Sequence, residues 1–367
     1  MSQQLAVGVF GDLGSMASPM ARHWALDGPT RVVRVHDRNG LGSQREERRQ
    51  AWRCHGAVLV PTIAEVLAPP ELDGVFVCCG KNGDDLALIA TIAAALSAKP
   101  QRQFLCHMST VTAGFAAAAT EFCSGLGVDY VNYPLTGGPS GAEKGTMLIL
   151  ASGSPQLFER LSPSLSAIGV PRYFGSAPSA AAEVKLMGQS MVFNGLLGIC
   201  SAAALHSECF QGGVVGGPDQ STFFDFLNGG AGGTRQWDVA LGNGVRSDVW
   251  DAGFLMSYAA IDAIYAAKLC LERGVSVIAV RPLVDVALAF SYVLNTLGPQ
   301  RATHALVREM VRQRAGELDS FIARYTGSAV NLEELLQRCT ESLPVDLQRK
   351  VALEVSVEDF ARCSPAT

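Results

Sequence analysis

The chain has 367 residues, 48% of them hydrophobic and 17% charged, with a formal net charge of −5. That length allows two domains with proper cores, and the composition is that of an ordinary, rather apolar globular protein. A net negative charge, with no Lys/Arg stripe interleaved with aromatics, argues against nucleic acid as a partner.

The first half alternates short apolar runs with helix-period segments. "AVGVF" leads into a helix to about Leu26, followed by "RVVRVHD", "GVFVCCG", "QFLCHMS", "DYVNYPL" and "TMLILAS". A helix over "SPQLFERLSPSLSAIG" then precedes the short "RYFG". β-rich runs separated by helices predict βαβ units and a mainly parallel sheet covered on both faces. The basic run "SQREERRQAWR" contains acids and reads as a solvated helix face.

Past Gly175 the pattern changes. A proline-free, Ala- and Met-rich stretch from Ala180 to about His206 predicts one long helix, with further helices at about 218–228, 255–273, 281–296 and 301–324. The expectation is an α/β Rossmann-type N-terminal domain (1–176), then an all-α C-terminal domain (177–314). A C-terminal extension (315–367) follows, of surface helices with no assigned role.

No basic, long-apolar leader opens the chain, and segments such as "LALIATIAAALSA" are too short and too flanked by charge to span a bilayer. A cytoplasmic protein without a membrane partner is expected. Of ten cysteines, Cys79, Cys106, Cys200 and Cys270 lie in apolar runs, where a thiol behaves as a small hydrophobe. No C-x-x-C pair and no Cys/His zinc spacing occurs, so reduced thiols and no metal are expected, with the vicinal Cys78–Cys79 pair the one redox candidate.

The stretch "LAVGVFGDLGSMASPMARHW" carries the strongest functional signal. A dinucleotide site needs a tight turn after the first strand, close backbone approach to the pyrophosphate, and a helix start with free N–H groups. Gly11, Gly14 and Ala17 supply the small residues, although they fall three apart rather than in G-x-G-x-x-G spacing. Asp37 ends the second strand about 20 residues on, where a carboxylate takes ribose hydroxyls. A glycine turn in some other α/β protein remains the alternative on these residues alone.

"VGVFGDLGSMASPMA" resembles the opening of the β-hydroxyacid dehydrogenases, the family of 3-hydroxyisobutyrate dehydrogenase and tartronate semialdehyde reductase within the 6-phosphogluconate dehydrogenase superfamily. Their pattern is V-G-F-I-G-L-G-x-M-G-x-P-M-A, so Val7–Gly11 and Leu13–Ala21 match with Asp12 as one inserted residue. The resemblance implies cofactor contacts from Gly11, Leu13, Gly14, Ser15, Met16, Asp37 and Arg38. Asp37 favours NAD(H), because a carboxylate repels a 2′-phosphate, while Arg38 suits NADP(H).

The resemblance continues along the chain. "HMSTVTAG" is similar to the family's D-x-S-T stretch beside the nicotinamide, implying Ser109 and Thr110, although Thr110 also reads as a helix N-cap. "NYPLTGGPSGAEKGTM" is similar to the substrate segment, implying that Thr136, Gly137 and Gly138 hold an acid group, with backbone N–H groups converging as in an anion nest. Asn132 stands there in place of the usual acid.

In "SAAAEVKLMGQSM" the resemblance makes Lys185 the catalytic acid/base; without it, Lys185 reads as a lysine snorkelling from a buried helix. Gly188 and Gln189 replace frequent asparagines, and Gln189 is left as the substrate-binding and catalytic helper. "LNGGAGGTRQWD" is a weaker match to a cleft-lining segment. In "FLMSYAAIDAIYAAK", Phe254 and Asp262 fit the family, with Asp262 toward the cofactor, but the family's lysine is Ile261.

The implied activity is an NAD(P)-dependent oxidoreductase moving a hydride between nicotinamide and a 3-hydroxy acid or semialdehyde. A small-molecule substrate and a homodimer are the implied partners. The altered motifs keep open an imine reductase on the same frame and a non-catalytic family member.

Overall fold

Alternation along the first strand organises the core. The structure, a computed structural model, describes residues 4–11, 14, 16–24, 28–37, 43–327 and 331–364. In β1 (Leu5–Phe10), Val7 and Val9 enter one apolar cluster, and Ala6 and Phe10 enter another. A period of two sends neighbours to opposite faces of a sheet, so a strand apolar at every position is buried on both sides.

The chain continues through α1 (Ala17–Trp24), β2 (Thr30–His36), α2 (Ser43–Cys54), β3 (Val58–Val60), α3 (Ile63–Leu67) and β4 (Gly74–Val77). It then forms α4 (Asn82–Ser97), β5 (Phe104–His107), α5 (Ala113–Gly125) and β6 (Asp129–Asn132). These six strands make one sheet in the order β3-β2-β1-β4-β5-β6, with every pair parallel. Strand order reverses between β1 and β4, and in open α/β sheets ligands bind in the crevice beyond the strand ends at such a point.

One face of the sheet packs against Met20 and Trp24 of α1 and Trp52 of α2. The other packs against Ile89 and Ala93 of α4 and Phe115 and Ala119 of α5.

"DYVNYPL" does not form a single strand. Proline has no N–H to give a ladder, and at Pro134 the chain leaves the sheet. It enters a second one built from β7 (Leu135–Thr136), β8 (Met147–Ala151) and β9 (Gly169–Tyr173). β7 runs antiparallel to β8 and β9 parallel to it, with α6 (Gly138–Lys144) and α7 (Pro155–Ile168) between.

The remainder is helical: α8 (Ala180–Phe210), α9 (Pro218–Asn228), α10 (Gly242–Ser247), α11 (Met256–Glu272), α12 (Val277–Leu297) and α13 (Leu306–Met310). α14 (Arg312–Thr326), α15 (Leu332–Ser342), α16 (Val345–Val351) and α17 (Val357–Cys363) complete it. α12 begins four residues earlier than the sequence suggested, because Ser276 caps it ahead of Pro282. The expected helix over 301–324 is broken at Val311, whose backbone is extended.

The chain divides into two compact units, 1–185 with 352–367, and 186–351. Sequence reading drew its boundaries at 176 and 314. The last segment is not a set of surface helices: Leu335, Leu336 and Cys339 of α15 are buried. Phe360 of α17 is fully buried in the first unit, edge-on to Phe115 at 5.2 Å and stacked on Phe122 at 5.4 Å.

Within the second unit, Phe193 stacks with Phe254 and meets Phe290 edge-on. α8 and α12 are each long and apolar enough to cross a membrane by length and composition. The apolar window of α12 is 67% buried and that of α8 only 39%, which makes α12 a core helix and leaves α8 partly uncovered.

Candidate cofactor and substrate site

The β1–α1 turn has the sterics of a dinucleotide loop. A Cβ on Gly11 would lie 2.2 Å from the Ala17 Cβ, so only glycine fits there. Gly14 N–H donates to the Gly11 carbonyl at 2.7 Å, and Ser18 N–H donates to the Gly14 carbonyl at 3.1 Å as α1 begins. Gly11, Gly14 and Ala17 thus close one tight turn at the β1/β4 switch point. Met16 is half-buried against the core beneath it. Asp12, Leu13, Ser15 and Arg38 lie outside the described residues.

Asp37 follows β2, its backbone N–H held by the Val60 carbonyl at 2.9 Å. Its Oδ2 accepts from Arg49 Nε at 2.7 Å, whereas Oδ1 is buried without a partner. An orphaned carboxylate oxygen beside a glycine turn fits the hydroxyls of a dinucleotide's ribose, which is the group the turn itself fits.

Arg49 was missed by sequence reading, which took its helix face as solvated. It is buried, bonds Glu46 as well as Asp37, and those bonds raise its pKa above the ordinary guanidinium value. The available signal was its place three residues before Trp52, itself fully buried on the same face of α2.

The ends of β4, β5 and β6 are laced together. Cys79 N–H donates to Ser109 Oγ at 3.3 Å, and Thr110 beside it is half-buried. The cap of α5 is Thr112 rather than Thr110: its hydroxyl accepts from Phe115 N–H at 3.2 Å and from Asn82 Nδ2 at 2.9 Å. Asn132 Nδ2 donates to the carbonyls of His107 and Ser109 at 3.0 and 3.1 Å. An ionised acid only accepts hydrogen bonds, so an aspartate at this position could not make these two contacts.

Thr136 is half-buried at the end of β7, opposite Leu148. Gly137 and Gly138 are exposed and take φ of 133° and 63°, a region that favours glycine. Lys185 is buried in α8, whose start is fastened by Ala181 N–H to Ser152 Oγ at 3.0 Å.

Gln189, four residues on, is also buried and donates through Nε2 to Asp262 Oδ2 of α11 at 2.6 Å. The structure therefore brings these two expected site residues together. Ile261 is buried beside Asp262 and lines a cavity of about 190 Å³ that Tyr258, Gln300 and Lys350 also line.

All ten cysteines are free. Burial pushes the Cys78 thiol up to about 12, which makes it a poor nucleophile. Among the described residues no group of three or more His, Cys, Asp or Glu converges as a metal ion would need.

Residues 6–177 match the NAD binding domain of 6-phosphogluconate dehydrogenase. The chain is 26% identical over 274 residues to 2-(hydroxymethyl)glutarate dehydrogenase of Eubacterium barkeri, spanning 75% of this chain and 84% of that protein. Its fold matches the crystal structure of 3-hydroxyisobutyrate dehydrogenase from Salmonella typhimurium with a TM-score of 0.70 at 18% identity, over 83% of this chain and 99% of the other. The enzyme of the same name from Mycobacterium tuberculosis, solved with L-serine, matches with a TM-score of 0.65 at 17% identity, over 84% and 99%.

Proposed function

We propose that this chain, a dehydrogenase whose residues 6–177 belong to the NAD-binding family of 6-phosphogluconate dehydrogenase, acts on a 3-hydroxy acid or the corresponding semialdehyde. The observation that carries the reading is the Gly11–Gly14–Ala17 turn at the strand-order reversal, with a buried, unpartnered Asp37 oxygen at the end of the next strand.

The dinucleotide, when bound, supplies or accepts the hydride. Gly11 and Gly14 admit its pyrophosphate and Asp37 takes its ribose hydroxyls, which favours NAD(H) over NADP(H). Ser109 and Thr110 flank the nicotinamide end. Thr136, with the Gly137 and Gly138 amides, holds the substrate's acid group.

Lys185 gives its proton to the alkoxide oxygen in reduction and, as the neutral amine, takes it back in oxidation. Gln189 assists from the same face of α8, its orientation set by Asp262. Met187, Met191 and Leu205 expose one apolar stripe of α8, which supports a homodimer.

Lys185→Ala tests the mechanism. Turnover should fall by at least about a hundredfold, the usual worth of general acid–base catalysis, with dinucleotide affinity kept. Near-normal turnover would end the assignment. Assaying hydroxy acids alongside cyclic imines separates this reading from an imine reductase.

A further inference from the structure

The β4–α4 turn forms one wall of the crevice at the strand-order reversal. Cys78 N–H extends the pairing of β1 with β4 by donating to the Phe10 carbonyl at 2.7 Å, and the Cys78 carbonyl oxygen would be 3.6 Å from a Cβ on Gly11. The turn that follows, from Cys79 to Asn82, therefore borders the glycine turn directly.

Its backbone is held from behind by a buried line of side chains. Gly80 N–H donates to Asp85 Oδ1 at 2.9 Å and Oδ2 at 3.2 Å. Asp85 Oδ2 lies 2.8 Å from His107 Nε2, and His107 Nδ1 lies 2.8 Å from the Tyr130 hydroxyl. Asp85 and His107 are fully buried.

One arrangement satisfies every group. Burial holds the Tyr130 hydroxyl protonated, so it can donate to His107 Nδ1, which leaves Nε2–H to donate to Asp85 Oδ2. Gly80 has no room for a side chain: a Cβ would sit 2.5 Å from the Asp84 Cβ and 2.9 Å from both Asp84 Oδ2 and Asp85 Oδ1.

This line does not touch the crevice, yet it runs from two strands through a helix to fix one backbone amide on its wall. A buried carboxylate would be costly unless paired and hydrogen-bonded, and here both partners are aimed through it at the turn. We propose that His107 is a positioning residue for the dinucleotide: through Asp85 it holds the Cys79–Asn82 turn in the conformation that receives the cofactor, with Tyr130 fixing the imidazole tautomer. The proposal rests on the dinucleotide reading above.

Three variants test it: His107→Leu, which removes the donor to Asp85, His107→Gln, which keeps one, and Tyr130→Phe, which removes only the hydroxyl. Hydrogen exchange at residues 79–82 is measured in the cofactor-free chain, and affinity by titrating NADH and NADPH fluorescence. In His107→Leu the Gly80 amide should exchange about tenfold faster or more. The better-bound dinucleotide should weaken by about tenfold, the effect of losing one charge-assisted bond.

His107→Gln should restore both to within about threefold, and Tyr130→Phe should fall between, consistent with a smaller, indirect loss. KM for dinucleotide should rise while KM for substrate stays put. Unchanged exchange and affinity in a folded His107→Leu chain would overturn the proposal. If that variant does not fold, the same result in Tyr130→Phe overturns it. Faster exchange in a chain whose wild type binds neither dinucleotide would instead overturn the cofactor reading and, with it, the link from the turn to the cofactor.

Discussion

Gln189 Nε2 donates to Asp262 Oδ2 at 2.6 Å, joining α8 to α11 with both side chains buried. A bond to a charged acceptor contributes about 1.5–3 kcal/mol, and removing the donor strips a buried carboxylate of one partner. Gln189→Ala should therefore destabilise the helical unit by about that amount, read as a lower urea midpoint at unchanged slope. Gln189→Glu sets two carboxylates together and should be worse. A midpoint unchanged in Gln189→Ala would mean the pair is dispensable.

Asp37 shares its carboxylate between Arg49 and an unoccupied acceptor direction. Asp37→Ser removes the repulsion toward a 2′-phosphate and leaves the Arg49 guanidinium close by. The ratio of NADPH to NADH affinity should rise by about tenfold or more, equivalent to ~1.4 kcal/mol. Titrating both dinucleotides against both proteins checks this; an unaltered ratio would remove Asp37 from the ribose site.

His304 carries a pH dependence. Its Nε2 is 2.6 Å from the Val249 carbonyl, its Nδ1 is buried without a partner, and burial lowers its pKa below 6.5. Below pH 6.5 the unfolded chain takes up a proton there that the folded chain refuses, so stability is present above 6.5 and falls as pH drops toward the folded value. His36, lowered likewise by burial, adds the same sign. Unfolding free energy between pH 7.5 and 5 should decline, and less steeply in His304→Gln; an identical slope in the variant would exclude His304 as a source.

Phe360 anchors the returning C-terminus between Phe115 and Phe122. Truncating a fully buried phenylalanine to alanine costs about 3–5 kcal/mol. Phe360→Ala should lower the melting temperature of the first unit accordingly, and a change under a degree would show the segment to be an accessory.

Local features were readable before any folding was considered. The apolar run Leu5–Phe10, the small residues at 11, 14 and 17, and the acid at 37 are set by hard sterics and charge within one βαβ unit. They led to the nucleotide-binding half, whose residues 6–177 match an NAD binding domain. The helical half was legible as helical from its long apolar stretches, but its ends were not: Ser276 starts α12 four residues early, and the extended backbone at Val311 breaks the stretch over 301–324.

Only the tertiary structure decided which polar groups those elements pair. Arg49 looked solvated until Asp37, 12 residues away, proved to be its partner. Asn132 looked like a lost acid until two carbonyls were placed before its amide. Gln189 and Asp262 are 73 residues apart, and Asp85, His107 and Tyr130 come from a helix and two strands. A hydrogen bond depends on direction and on tenths of an ångström, whereas composition and periodicity specify only which face a residue occupies. The sequence alone determined a parallel α/β half followed by helices; packing decided where the chain leaves the first sheet and which polar groups its elements pair.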